Sequence, residues 1–188
     1  VFVNQLTEPS FSKAEFGENF VWGVATAAFQ IEGAARTDGR APSIWDTFCE
    51  KEGAIADGSD GLIACDHYNR LEEDLDHIAS LGVNAYRFSV SWSRVQPRGD
   101  GPWNEKGFDF YNRLISGLEQ RGIQAHLTLF HWDLPQALDD RGGWLNDEVL
   151  DCFVVYAQEV CRRFGRRLAS ICTFNEPWVI SILGYEQG

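Results

Sequence analysis

Asn175-Glu176-Pro177-Trp178 directly follows the apolar run Ile171-Cys172-Thr173-Phe174, which sets one carboxyl beside an amide and against large aromatic rings. A carboxyl in apolar surroundings holds its proton more tightly, the property a general acid needs at neutral pH. A second group, His131-Trp132-Asp133, ends the apolar run that starts at Gln124. It offers an imidazole and an indole N–H to hydroxyl groups, and a flat ring to the apolar face of a sugar. Taken alone, His131 reads equally well as a satisfied core histidine. Arg87 lies inside Tyr86-Arg87-Phe88. An arginine in a buried strand needs a carboxylate to offset its lost hydration, so Arg87 predicts an acidic partner. Gln30, between Phe29 and Ile31, makes a weaker case of the same kind.

These residues need elements to hold them. Four runs, Phe20 to Ile31, Ala85 to Trp92, Gln124 to Trp132 and Ala169 to Trp178, are rich in apolar, β-branched and aromatic residues and predict strands covered on both faces. Between them Leu71, Leu75, Ile78 and Leu81 repeat at helical spacing and stop at Gly82, and Phe108, Tyr111, Leu114, Ile115 and Leu118 stop at Gly122. Val149, Phe153, Ala157, Val160 and Phe164 make a third stripe that stops at Gly165, with Asn146 or Asp147 placed to cap its start. Long loops remain at Gly33 to Asp66, Gln96 to Glu105 and Leu134 to Asp147.

Strands alternating with helices predict an α/β fold with a parallel sheet, either open and doubly wound or closed as a (β/α)8 TIM barrel. The open nucleotide-binding form needs a glycine-rich first turn, and neither G-x-G-x-x-G nor G-x-x-x-x-G-K-[ST] occurs, which favours the barrel. Every predicted strand ends on polar or aromatic groups: Gln30 and Glu32; Arg87 with Ser91 and Trp92; His131 and Trp132; Asn175 and Glu176. In a barrel these ends meet on one face, where barrel enzymes place their sites. Four βα units are half of eight.

Composition narrows the partners. The 188 residues carry 16 Lys plus Arg against 28 Asp plus Glu, a net charge of −12, with 44% hydrophobic residues. That is the make-up of a globular domain, or part of one, and its acidity excludes a nucleic-acid footprint or a polybasic membrane patch. No apolar stretch is long enough to span a bilayer and no basic flank precedes an apolar segment, so a cytoplasmic protein is expected. Five cysteines without a C-x-x-C pair agree with a reducing compartment. The acidic loop Asp57-Gly58-Ser59-Asp60 has Tyr68 where a calcium loop needs a closing carboxylate, and the histidines lack zinc spacing, so no metal or cofactor is expected.

Four segments together resemble successive signatures of glycoside hydrolase family 1, the β-glucosidase family. They are Phe20 to Gly33 (FVWGVATAAFQIEG), Tyr86-Arg87-Phe88-Ser89, Thr128 to Pro135 (TLFHWDLP) and Thr173 to Trp178 (TFNEPW), in the family's order and spacing, with Cys65-Asp66-His67-Tyr68 before the first helix. The resemblance implies a (β/α)8 barrel that hydrolyses β-glucosides or related oligosaccharides with retention of configuration. It implies that Glu176 is the general acid/base, that Asn175 holds the sugar 2-hydroxyl, that Gln30, His131 and Trp132 bind other hydroxyls, and that Arg87 lies beside the nucleophile carboxylate. Retention needs two carboxyls about 5 to 5.5 Å apart. The family's nucleophile motif, T-E-N-G, does not occur in these residues. Residues 1–188 are thus expected to be the N-terminal half of such a domain, its partner a C-terminal half-barrel or a second copy of itself. A catalytically silent half-barrel and a 6-phospho-β-glycosidase stand as alternatives.

Overall fold

The computed structural model describes residues 12–187, so both ends of the expected 1–188 unit lie outside the described residues. Four strands, β1 (Gly23–Ala25), β2 (Ala85–Ser89), β3 (Gln124–Phe130) and β4 (Ser170–Phe174), form one parallel sheet in the order β1-β2-β3-β4. The three predicted helices lie in the crossovers: α1 (Leu71–Ser80), α2 (Glu105–Gln120) and α3 (Asp147–Phe164). Gly82 and Gly122 end the first two in the left-handed region, at φ 66° and 68°, where a side chain would be strained. Gly165 does not act this way. Its φ is −53°, and α3 tightens through it into a short 3-10 turn, Gly165–Arg167. Asn146 caps α3 by accepting the Glu148 N–H at 3.0 Å.

All four predicted strands are shorter than expected, and the first is the most changed. Only Gly23–Ala25 pairs, and Ala28–Ile31 turns helical, with the Ala28 N–H donating to the Ser89 hydroxyl. β2 and β3 are buried or half-buried on both faces apart from Gln124, as expected, whereas β4 is largely exposed. In register, Arg87 lies beside His126 and His126 beside Ser170, while Ser89 lies beside Thr128 and Thr128 beside Cys172. Successive side chains along a strand alternate between faces, so these residues share one polar face. The other face of β2 and β3 bears Tyr86, Phe88, Leu127 and Leu129, all buried in the core with Leu75, Tyr111, Leu114 and Ile115 of α1 and α2. Leu81, past the end of α1, is exposed.

A chain of rings fixes the far ends of the strands. Trp92 stacks on Tyr156 of α3 at 4.7 Å, Phe153 meets Phe174 at 4.7 Å, and Trp144 meets Phe130 at 5.0 Å. The Tyr156 hydroxyl also donates to the Leu129 carbonyl at 2.8 Å. The last residues of β3 and β4 are therefore clamped against α3. No helix among the described residues is long and apolar enough to cross a membrane.

Candidate active site

β3 and β4 end alike. Phe130 pairs with Phe174, each is followed by one polar residue, and the next residue enters the left-handed region: Trp132 at φ 75° and Glu176 at φ 48°. Such backbone is sparsely populated for bulky side chains and persists only where surroundings enforce it. Here the Asn175 N–H donates to the Phe130 carbonyl at 2.9 Å, and the Trp132 indole N–H donates to the Asn175 carbonyl at 2.9 Å. The two kinks hold each other.

Arg87 completes the connection from β2. Its Nε donates to Thr128 Oγ1 at 2.9 Å, and its Nη2 donates to Asn175 Oδ1 at 2.6 Å. Because Oδ1 is engaged, the Asn175 amide cannot flip, and its Nδ2 hydrogens face away from Arg87 with no protein acceptor among the described residues. The expected carboxylate partner of Arg87 is not found. Among the described residues it forms no ion pair, and it is half-buried and bonded to two neutral oxygens, which lowers its need for an anion. Thr128, fully buried on β3, was not singled out by the sequence, since a threonine in a strand is unremarkable until its hydroxyl is seen to hold a guanidinium.

His131 is half-buried between these groups. Burial, then the Arg87 charge, holds its imidazole below the ordinary histidine value, with the Glu176 carboxylate opposing. At neutral pH the ring is therefore uncharged and able to donate from one nitrogen and accept at the other. Gln30 joins from the helical turn after β1. It lines, with Ala27, Phe29, Trp45, His131 and Trp132, an open cleft of about 300 Å³ whose outer wall is Cys49, Ile55, Ser59 and Asp60 of the loop after β1. Trp45 and Phe29 stand 6.2 Å apart in this wall. Phe29 falls inside the predicted Phe20 to Ile31 run, whereas Trp45 lies on a short helix, Ile44–Cys49, within the long Gly33 to Asp66 stretch, where no sequence pattern marked it.

The expected surroundings of Glu176 are corrected in one respect. Its side chain is exposed and Trp178 is 62% exposed, so the apolar enclosure suggested by Phe174 and Trp178 is not formed among the described residues. Trp132 is corrected in another: its indole N–H is already used by Asn175, which leaves the ring face for the cleft. With these changes the structure gathers Gln30 from the helical turn after β1, Arg87 from the middle of β2, and His131, Trp132, Asn175 and Glu176 from just past the ends of β3 and β4.

Residues 12–188 match the family described as Glycosyl hydrolase family 1. A β-glucosidase from Agrobacterium sp. is 51% identical over 97% of this chain, which covers 40% of that protein. Virulence factor SghA from Agrobacterium tumefaciens, solved with its substrate analogue salicin, is 53% identical with a TM-score of 0.85, covering 87% of this chain and 36% of that one. The β-glucosidase of Thermotoga maritima in complex with castanospermine is 50% identical with a TM-score of 0.88, covering 90% and 39%. The chain thus spans about two fifths of the length of such relatives, and its four parallel strands match the N-terminal part of their barrels.

Proposed function

This chain belongs to glycosyl hydrolase family 1, and from that premise we propose that it supplies the acid/base half of a retaining β-glycosidase site for β-glucosides or short oligosaccharides. Residues 1–188 are then the N-terminal half of a (β/α)8 barrel domain. Glu176 protonates the leaving oxygen and later takes a proton from the attacking water. The observation that carries this reading is the bonded path from Arg87 to Asn175 to Trp132, which fixes the residue before Glu176 to a cleft-lining residue, while the Glu176 carboxylate acts electrostatically on His131, another residue of the cleft.

In this reading the fixed Asn175 amide presents Nδ2 to the sugar 2-hydroxyl, a contact that strengthens as charge develops at the neighbouring carbon. Gln30 and the neutral His131 bind other hydroxyls, and the Trp132 ring covers an apolar sugar face. The exposed side of the Arg87 guanidinium receives the nucleophile carboxylate, supplied from residues other than these 188. That carboxylate forms the glycosyl-enzyme bond as the leaving group departs with the Glu176 proton, and water then restores both carboxyls. The chemistry uses no metal or cofactor. The five cysteines, none of them bridged, support a cytoplasmic location.

An aryl β-glucoside assay tests the reading. The chain alone releases no phenol above background, and the chain joined to a second half bearing the nucleophile does. Absence of hydrolysis from the joined protein would establish the silent half-barrel instead, and activity confined to 6-phosphorylated substrates would establish the phospho-glycosidase. In the active protein His131→Ala raises the glucose inhibition constant, because a buried hydroxyl loses its partner at a cost of about 1 to 3 kcal/mol. An unchanged inhibition constant would remove His131 from the site.

A further inference from the structure

Behind the site lies a group of buried charges that the proposed chemistry does not use. Glu32 accepts from Arg94 Nε at 2.8 Å and from the Tyr111 hydroxyl at 2.5 Å. Asp46 accepts from Arg40 Nη2 at 2.8 Å and from the backbone N–H and hydroxyl of Ser43. Each guanidinium is thereby committed to one carboxylate. The third carboxyl of the group, Asp133, is 1% exposed, and apart from its own backbone N–H neither of its oxygens has a hydrogen-bond partner among the described residues. Three acids therefore share two bases, and an unpaired buried carboxylate costs far more than an unpaired neutral acid.

We propose that Asp133 is held as a neutral carboxylic acid and acts as a positioning residue, its proton keeping the His131–Trp132 turn seated on the core. The placement supports this. Asp133 directly follows Trp132 in its left-handed conformation, and the next residues are pinned to the Ser43 segment, with the Ile44 N–H on the Leu134 carbonyl and Ser43 bridged to Pro135. The titratable groups facing Asp133 are Glu32 and Asp46, whose negative charges oppose its ionisation, Arg40, which favours it, and Tyr156 of α3. Burial first and Glu32 second push the Asp133 carboxyl up to about 8. Ionisation would bring water or movement to the residue that anchors the turn. The consequence for sugar binding rests on the glycosidase reading, but the protonation does not.

The folded chain keeps a proton that the unfolded chain loses near the ordinary aspartate value of about 3.9. Stability from this group is thus greatest below pH 4, falls as pH rises to about 8, and levels off above it. Urea unfolding of the full chain between pH 5 and 7.5 should show the wild-type unfolding constant rising about tenfold per pH unit more steeply than that of Asp133→Asn, which carries no titrating proton. Parallel slopes would overturn the proposal. A measurement on the wild type alone guards against a variant that does not fold. The Asp133 side-chain carbon signal should titrate near pH 8, and the Trp132 indole N–H signal should move with the same midpoint. An Asp133 signal already that of a carboxylate at pH 6, or an indole signal that ignores the transition, would equally overturn it. Neither readout needs sugar or turnover, so failure of the glycosidase reading leaves them intact.

Discussion

Glu176→Gln, made in a protein that joins this half-site to its nucleophile, leaves glucose binding within about twofold and cuts turnover of alkyl β-glucosides by roughly 10²- to 10⁴-fold, the usual contribution of a positioned proton donor. An alkoxide is a poor leaving group and must be protonated as the bond breaks. A dinitrophenolate needs little help, so the first step for that substrate falls far less, and the glycosyl-enzyme then accumulates because no base activates the water. Pre-steady-state kinetics with both substrates checks this. Equal losses for the two would show that Glu176 does something other than transfer a proton. Because Glu176 is exposed here, the substitution is isosteric and free of packing cost, so the loss is one of chemistry and not of folding.

Arg94→Met destabilises the chain by about 3 to 5 kcal/mol, the cost of removing one partner from a buried ion pair. Arg94 is 1% exposed, donates to Glu32 and to the Gly33 carbonyl at 2.9 Å, and lies 4.3 Å from the centre of the Tyr68 ring. Its loss leaves the Glu32 carboxylate with the Tyr111 hydroxyl alone. The double variant Arg94→Met, Glu32→Gln should be less destabilised than the single one, since no charge is then left without its counter-ion. Urea denaturation of the three proteins decides it, and a single variant within about 1 kcal/mol of wild type would count against an obligatory pair.

Five of the six candidate residues stood out because each breaks the pattern around it: a cation in an apolar strand, or a carboxyl, amide or imidazole near the point where an apolar run ends; Trp132 stood out only by its neighbour His131. What could not be read was where each run stops being a strand. Phe29 and Ile31 continue the apolar character of β1 but do so on a helical turn, and Trp132 and Glu176 lie past the strands they seemed to belong to. Apolar residues serve a buried turn as well as a buried strand, so hydropathy alone does not mark the change. Partners far apart in sequence were equally hidden. Arg87 was read as needing a carboxylate, yet its bonds go to Thr128 and Asn175, and the pair Glu32 with Arg94 joins residues 62 positions apart. The strand alternation in Tyr86-Arg87-Phe88-Ser89 was present in the sequence all along; the polar face it creates becomes visible only when the neighbouring strands bring His126, Thr128 and Ser170 alongside.

Trp132 and Glu176, like Ala34, Asp38, Ala64 and Asp66, carry left-handed backbone that their side chains resist. At either Trp132 or Glu176, glycine would relieve the conformation that the side chain resists, but at Trp132 it would also remove the indole bond to Asn175 and the packing of the ring. The conformational gain is therefore unopposed only at the exposed Glu176, where selection for stability alone would draw the position toward glycine and erase the acid. A thermostabilised descendant of this sequence that retains Glu176 will have kept it against that pull, and one that has lost it will do no acid/base chemistry at this face.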